Sequence, residues 1–190
     1  MAPIVLLVVL VVVVLSVIGA YNRLIALKNQ VANAWKQIDV QLKRRHDLIP
    51  NLVNTVKGAM EFERGTLEAV IAARNKAVSA TGVKQTAQAE GELTQALGRL
   101  FALTEAYPDL KANQNVLQLQ EELTSTENKV GFARQLYNDT ATQYNTKQAT
   151  FPTLLVAGLA KAQPAELWEI EDAAERAVPN VDLSFNKPAT

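Results

Sequence analysis

The stretch KRRHDLIPNLV, residues 43 to 53, decides how the chain folds. It sets three adjacent cations, the single histidine and a proline inside a sequence whose apolar positions otherwise keep helical spacing. Upstream, Leu24, Leu27, Val31, Ala34, Ile38 and Leu42 advance by three or four and share one face of a helix. Downstream, Leu52, Val56, Ala59, Leu67, Val70 and Ile71 mark a second helix. Proline has no N–H to donate and disfavours helical geometry at the residue before it. One straight helix over residues 21–81 would reach about 90 Å, whereas the segment from Pro108 to Lys147 reaches only about 60 Å, so part of the rod would lie uncovered. The pattern predicts a tight turn at Asp47–Pro50 with Pro50 opening the second helix; the competing reading is one helix kinked at the proline.

The rest of the aqueous sequence is also helical in period. Leu93, Ala96, Leu97, Leu100 and Leu103 mark a third helix, and a long stripe runs Val116, Leu119, Leu123, Thr126, Val130, Ala133, Tyr137, Ala141, Tyr144. Breaks fall at SATGV, residues 79–83, through Gly82, and at EAYPDLK, where Pro108 and Asp109 suit the first turn of a new helix. The fold class expected is all-α: helices near 21–46, 50–80, 84–106 and 108–147 in an antiparallel four-helix bundle. The organisation is then 1–20 transmembrane anchor, 21–147 bundle and 148–190 C-terminal docking tail.

The anchor is read from APIVLLVVLVVVVLSVIGA, residues 2–20, which carries no charge. About 19 residues rising 1.5 Å each give roughly 28 Å, enough to cross a bilayer. A secretory signal peptide competes, since SVIGA ends in small residues, but a basic n-region is missing. Within lipid the backbone finds no other hydrogen-bond partner, so even a valine run is helical. Arg23, Lys28 and Lys36 follow the span, which by the positive-inside rule places the bundle in the cytoplasm. The absence of cysteine is neutral on that point.

Charge is balanced overall, 19 against 19, but not locally. Residues 21–64 hold eight Lys/Arg against four Asp/Glu, and residues 164–190 hold two against six, so the acidic tail is suited to lie over the basic membrane-proximal part of its own or a neighbouring subunit. No basic domain offers itself to nucleic acid.

Catalytic chemistry finds little support. His46 and Asp47 suggest a hydrolase dyad, but sequence neighbours do not share a helical face and no third partner is visible. One histidine and no cysteine leave zinc and softer metals without their usual ligands, and Glu61, Glu63, Glu121 and Glu122 fit solvated helix faces better than a calcium loop. No cofactor is expected. Tyr107, Tyr137 and Tyr144 read as core or interface, and Asn51, Asn54, Asn128 and Asn138 as surface or as buried groups fixing helix register. Lys43, Arg44 and Arg45 would serve a lipid-surface module only if the helix folded back toward the bilayer, because residue 46 stands roughly 35 Å beyond the span.

The tail stretch FPTLLVAGLAKAQPAELWEI, residues 151–170, is expected to be a docking or self-association element through Leu154, Leu155, Leu159 and Trp168. Pro152 stops the preceding helix, and the following short helix is apolar on nearly every side. The alternative is that the tail folds back and completes its own core.

YNRLIALKNQVANAWKQIDVQLKRRHDLIPNLVNTVKG (21–58), AYPDLKANQNVLQLQEELTSTENKV (106–130) and ARQLYNDTATQYN (133–145), followed by FPTLLVAG, together resemble the LemA family over essentially the whole chain. Members usually carry a histidine before the glutamate of the element matching EFERGTLE; here that place is Phe62, before Glu63, which weakens a required role for that histidine. The resemblance implies an N-terminally anchored membrane protein with a helical bundle and no established reaction. It also implies links to membrane homeostasis, to membrane metalloproteases and, in magnetotactic bacteria, to organelle membranes. Some relatives carry a lipoprotein-type N-terminus, which sets a periplasmic or extracytoplasmic bundle against the cytoplasmic reading.

Overall fold

The computed structural model describes residues 1–58, 60 and 63–169. It is all-helical: α1 Ala2–Val56, α2 Arg64–Ser79, α3 Val83–Ala106, α4 Pro108–Lys111, α5 Gln114–Ala149 and α6 Leu154–Ala157. Ala59, placed on the second helix by the sequence pattern, Phe62, and the acidic residues after Glu169 lie outside the described residues.

The turn predicted at Asp47–Pro50 is absent, and α1 continues through Pro50 for 55 residues in all. Two causes are visible. Proline leaves the carbonyl four residues earlier without its helical donor. That carbonyl belongs to His46, and Arg74 Nε on α2 donates to it at 3.2 Å. The apolar stripe is also continuous: Leu42, then Ile49, Leu52, Val53 and Val56 are buried on one face, and the turn between them is held by buried Arg45 and His46. The chain reverses after Val56 instead, and the helix predicted over 50–80 is replaced by the end of α1, the connection and α2.

We expect Arg74→Met to cost about 1 kcal/mol, the low end of the penalty for stranding a part-buried carbonyl. In a Pro50→Ala background, where residue 50 donates to His46 itself, the same change should cost much less. Thermal melts of the full chain in detergent, arranged as a double-mutant cycle, measure the coupling. Strictly additive effects would count against this pairing.

Helix α1 pairs along α5. Trp35 meets Tyr137 with ring centroids 5.4 Å apart, and Arg45 meets Glu127, so residue numbers rise along one helix as they fall along the other. The 36 residues of α5 match the length of α1 beyond Ala20, so the long rod is not left bare. Around its far end, Ile49, Leu52, Val53 and Val56 share a core with Val70 and Leu67 of α2, Leu93, Leu97 and Leu100 of α3, and Val116 and Leu123 of α5. From Ala2 to Gly19, by contrast, every side chain is exposed.

The break read at SATGV separates α2 from α3, with Gly82 at φ 78°, a left-handed region that glycine enters without a Cβ penalty. The single helix predicted over 108–147 is divided. Pro108–Lys111 forms one turn, and α5 begins afresh where the Asn113 side chain accepts from the N–H groups of Asn115 and Val116. Helix α5 then ends at Ala149, before Phe151 and its cis bond to Pro152.

Candidate functional site

Arg45 and His46 bring charge into the middle of the helical core. Arg45 and Glu90 are each 3% exposed. Removing such ions from water costs several kcal/mol apiece unless hydrogen bonds and opposite charge replace the lost hydration. Here they do. Arg45 Nη1 donates to Glu90 Oε2 at 2.9 Å, Arg45 Nη2 donates to Thr94 Oγ1 at 2.9 Å, and His46 Nε2 lies 2.6 Å from Glu90 Oε1. Facing an ionised carboxylate, which only accepts, Nε2 would be the ring nitrogen that donates. Glu127 Oε2 adds a second negative charge 2.8 Å from Arg45 Nη2, close enough for an ion pair but not aligned as a hydrogen bond. The cluster therefore ties α1, α3 and α5 together at one level.

Its chemistry is that of a fastener. The cavity beside it, lined by Arg45, Glu90, Thr94, Glu127, Arg134 and Trp168, holds about 120 Å³, well below the roughly 300–1,000 Å³ of ligand sites. Asp47 is exposed, one helical step away from the face on which His46 engages Glu90. Both residues border an open surface groove with Asp39, whose carboxyl is raised by burial, and Arg74. Thr86, the hydroxyl in that groove, donates to the Gly82 carbonyl at 2.7 Å. Of the cationic trio, Lys43 and Arg44 are exposed while Arg45 is buried.

A second feature is the strap formed by residues 162–169, which has no regular secondary structure and is hydrogen-bonded along α5. Asn145 accepts from Ala165 N and donates to Ala165 O, both at 2.8 Å, and Asn138 makes the same reciprocal pair with Trp168 at 2.8 and 2.9 Å. The spacing is metrically matched: seven helical residues advance about 10.5 Å, and three extended residues advance about 10 Å. Between the clamps Tyr137 donates its hydroxyl to the Glu166 carbonyl at 2.7 Å. The phenol is raised above the usual tyrosine range, first by burial and then by the Glu166 charge. Tyr144 is raised by burial too.

The residues expected to dock are separated by the fold. Leu154, Leu155 and Leu159 are 54%, 64% and 76% exposed, whereas Trp168 is 4% exposed. Its ring lies 6.0 Å from Trp35 and has the Arg134 guanidinium 5.7 Å from its centroid. Trp168 thus completes the chain's own core, the alternative open for this tail. Glu90, Thr94, Asn145 and Arg134 carry these contacts without a motif; the seven-residue spacing of Asn138 and Asn145 is the one signal that places two amides on a common face.

The sequence model of the LemA family matches residues 34–183, a span that contains the Arg45 cluster and both asparagine clamps. The chain belongs to the LemA family. Among LemA relatives, Protein LemA of Metamycoplasma hominis is 28% identical across 90% of this chain and 76% of its own length. Magnetosome proteins MamQ 1 and MamQ 2 of Paramagnetospirillum magneticum are each 22% identical across 82% of this chain, which spans 66% of theirs.

Proposed function

We propose that this LemA-family chain is a non-catalytic membrane scaffold: an antiparallel four-helix bundle on its own single transmembrane helix, self-associating and serving membrane homeostasis. One observation carries this reading. Helix α1 passes without a break from a wholly exposed apolar segment into the helix that the bundle is built around. A side chain run of that hydrophobicity is stable in lipid and costly in water. An unbroken helix also transmits the orientation of the span to the bundle, which suits a platform more than a tethered enzyme.

Self-association has a candidate surface on the α1–α5 face, where Val40, Phe132 and Leu136 are 63%, 73% and 46% exposed around one groove. Arg23 and Lys28 favour a cytoplasmic bundle. The family resemblance points to a membrane metalloprotease as one partner to examine.

Membranes from cells making the full chain should retain it through alkaline carbonate, and Val9→Lys with Val12→Lys should release it. In mild detergent and in nanodiscs, size measurement should give more than one copy. A monomer in both media removes self-association, and carbonate release of the native chain removes the anchor. A hydrolase activity abolished by His46→Ala, with the melting curve intact, would overturn the non-catalytic reading.

A further inference from the structure

The α1–α5 register fixes where the end of α5 stands. With Trp35 beside Tyr137 and Arg45 beside Glu127, Ala149 comes level with Arg23, about 5 Å beyond Ala20 along the helix axis. The chain then turns through Phe151 to Lys161 before returning up α5 as the strap. The inner side of this turn packs on the base of the bundle, since Ala160 joins Leu24 and Tyr144 in one core, while Thr153 and Val156 are buried. Its outer side is apolar and open: Phe151 is 77% exposed, and Leu154, Leu155 and Leu159 are likewise exposed.

We propose that this corner is a second membrane contact, seated in the headgroup and upper acyl region of an anionic leaflet beside the base of α1. The proposal rests on the anchor reading of that helix, because the anchor is what brings the corner to the lipid surface. An apolar surface held at the end of a lipid-spanning helix is continuous with the surface that the bilayer already covers.

Charge selects the same occupant. Among the described residues, Arg23, Lys28, Lys147 and Lys161 surround this level, and no carboxylate occurs over residues 21–38 or 140–165. The nearest acidic residue on α1 is Asp39, about 28 Å beyond Ala20. On α5 it is Asp139, and on the strap Glu166, whose carbonyl is held at the level of Tyr137. Those sites stand roughly 20 Å up the bundle, beyond the ~8–10 Å over which charge is felt at physiological salt. Apolar side chains ringed by cations fit an anionic lipid surface. A second copy presenting the same corner would set cations against cations.

The chain has no cysteine, so single labels can be placed without removing any native thiol. Full-length protein carrying Val9→Cys, Leu155→Cys, Leu159→Cys or Leu117→Cys is labelled with an environment-sensitive dye and put into nanodiscs of phosphatidylcholine with phosphatidylglycerol. Quenchers are attached to the lipids at shallow and deep positions. Dyes at 155 and 159 should be quenched by the shallow position, the dye at 9 by the deep one, and the dye at 117 by neither. Leaving out phosphatidylglycerol should weaken quenching at 155 and 159 but not at 9. Quenching at 9 with none at 155 and 159 overturns the proposal and leaves the anchor intact. No quenching at 9 overturns the anchor and the proposal with it. Dye–dye self-quenching at 155 that disappears on dilution with unlabelled chain assigns the corner to a second copy and also overturns the proposal.

Discussion

Glu90→Leu is expected to destabilise the folded chain by about 3–5 kcal/mol, the cost of leaving a buried charge without its partner. Among the described residues, Glu90 is the one carboxylate that meets both Arg45 and His46, one through each oxygen. Its removal leaves the guanidinium with Thr94 and the off-line contact to Glu127, and leaves His46 Nε2 without its carboxylate partner. The paired change Arg45→Met with Glu90→Leu should recover part of the loss, because the guanidinium goes with its partner, while His46 Nε2 stays unmatched and Glu127 loses its cation. Circular-dichroism melts and urea titrations of the full chain in one detergent measure both. A loss below about 1 kcal/mol for Glu90→Leu, the net worth of an ordinary hydrogen bond, would show that water or Glu127 satisfies Arg45 without it.

That cluster also explains what could be read from residues 43–53 and what could not. The stripe from Leu24 to Leu42 and the long stripe on α5 are visible because leucine, valine and alanine recur at helical spacing. The same stripe continues through Ile49, Leu52 and Val56, but its intervening turn is filled by Arg45 and His46, which look like surface residues until Glu90 is opposite them. With Pro50 next, a continuous helix reads as a corner. The His46 carbonyl that Pro50 leaves without a helical donor is met by Arg74, a partner 28 residues away that local propensity does not encode. The division between α4 and α5 was legible in principle, since Asn113 is a good N-cap residue, though the EAYPDLK signal a few residues earlier dominates it. For the tail, composition shows an apolar segment and a tryptophan. Which of them turns inward is decided by the asparagine clamps, whose geometry exists only once α5 is straight.

Trp168→Ala should release the strap, at a local cost of about 3–5 kcal/mol for deleting a buried tryptophan. The ring fills the space between Trp35, Arg134 and the α1–α5 core, and its main chain is held by both ends of the Asn138 amide. The two asparagine clamps and the Tyr137 hydroxyl act on one short segment, so they should fail together. The loss is local because α1 and α5 keep their own pairing through Ile38, Val130 and Ala141. Helical content is expected to persist while Trp35 fluorescence shifts to the red and the 162–168 segment becomes open to protease. Asn138→Ala with Asn145→Ala should give the same pattern with the tryptophan still present. Alkali should do so as well. The folded-state pKa of Tyr137 is raised above its unfolded value near 10, so this contribution is fully present below pH ~10 and is lost as pH rises through the folded value, where the phenol gives up the proton it donates to the Glu166 carbonyl. A Trp168→Ala chain whose strap resists protease as the native one does would show that the clamps hold without the ring. A chain that loses its helices altogether would show that the strap is part of the global fold and not a separable closure.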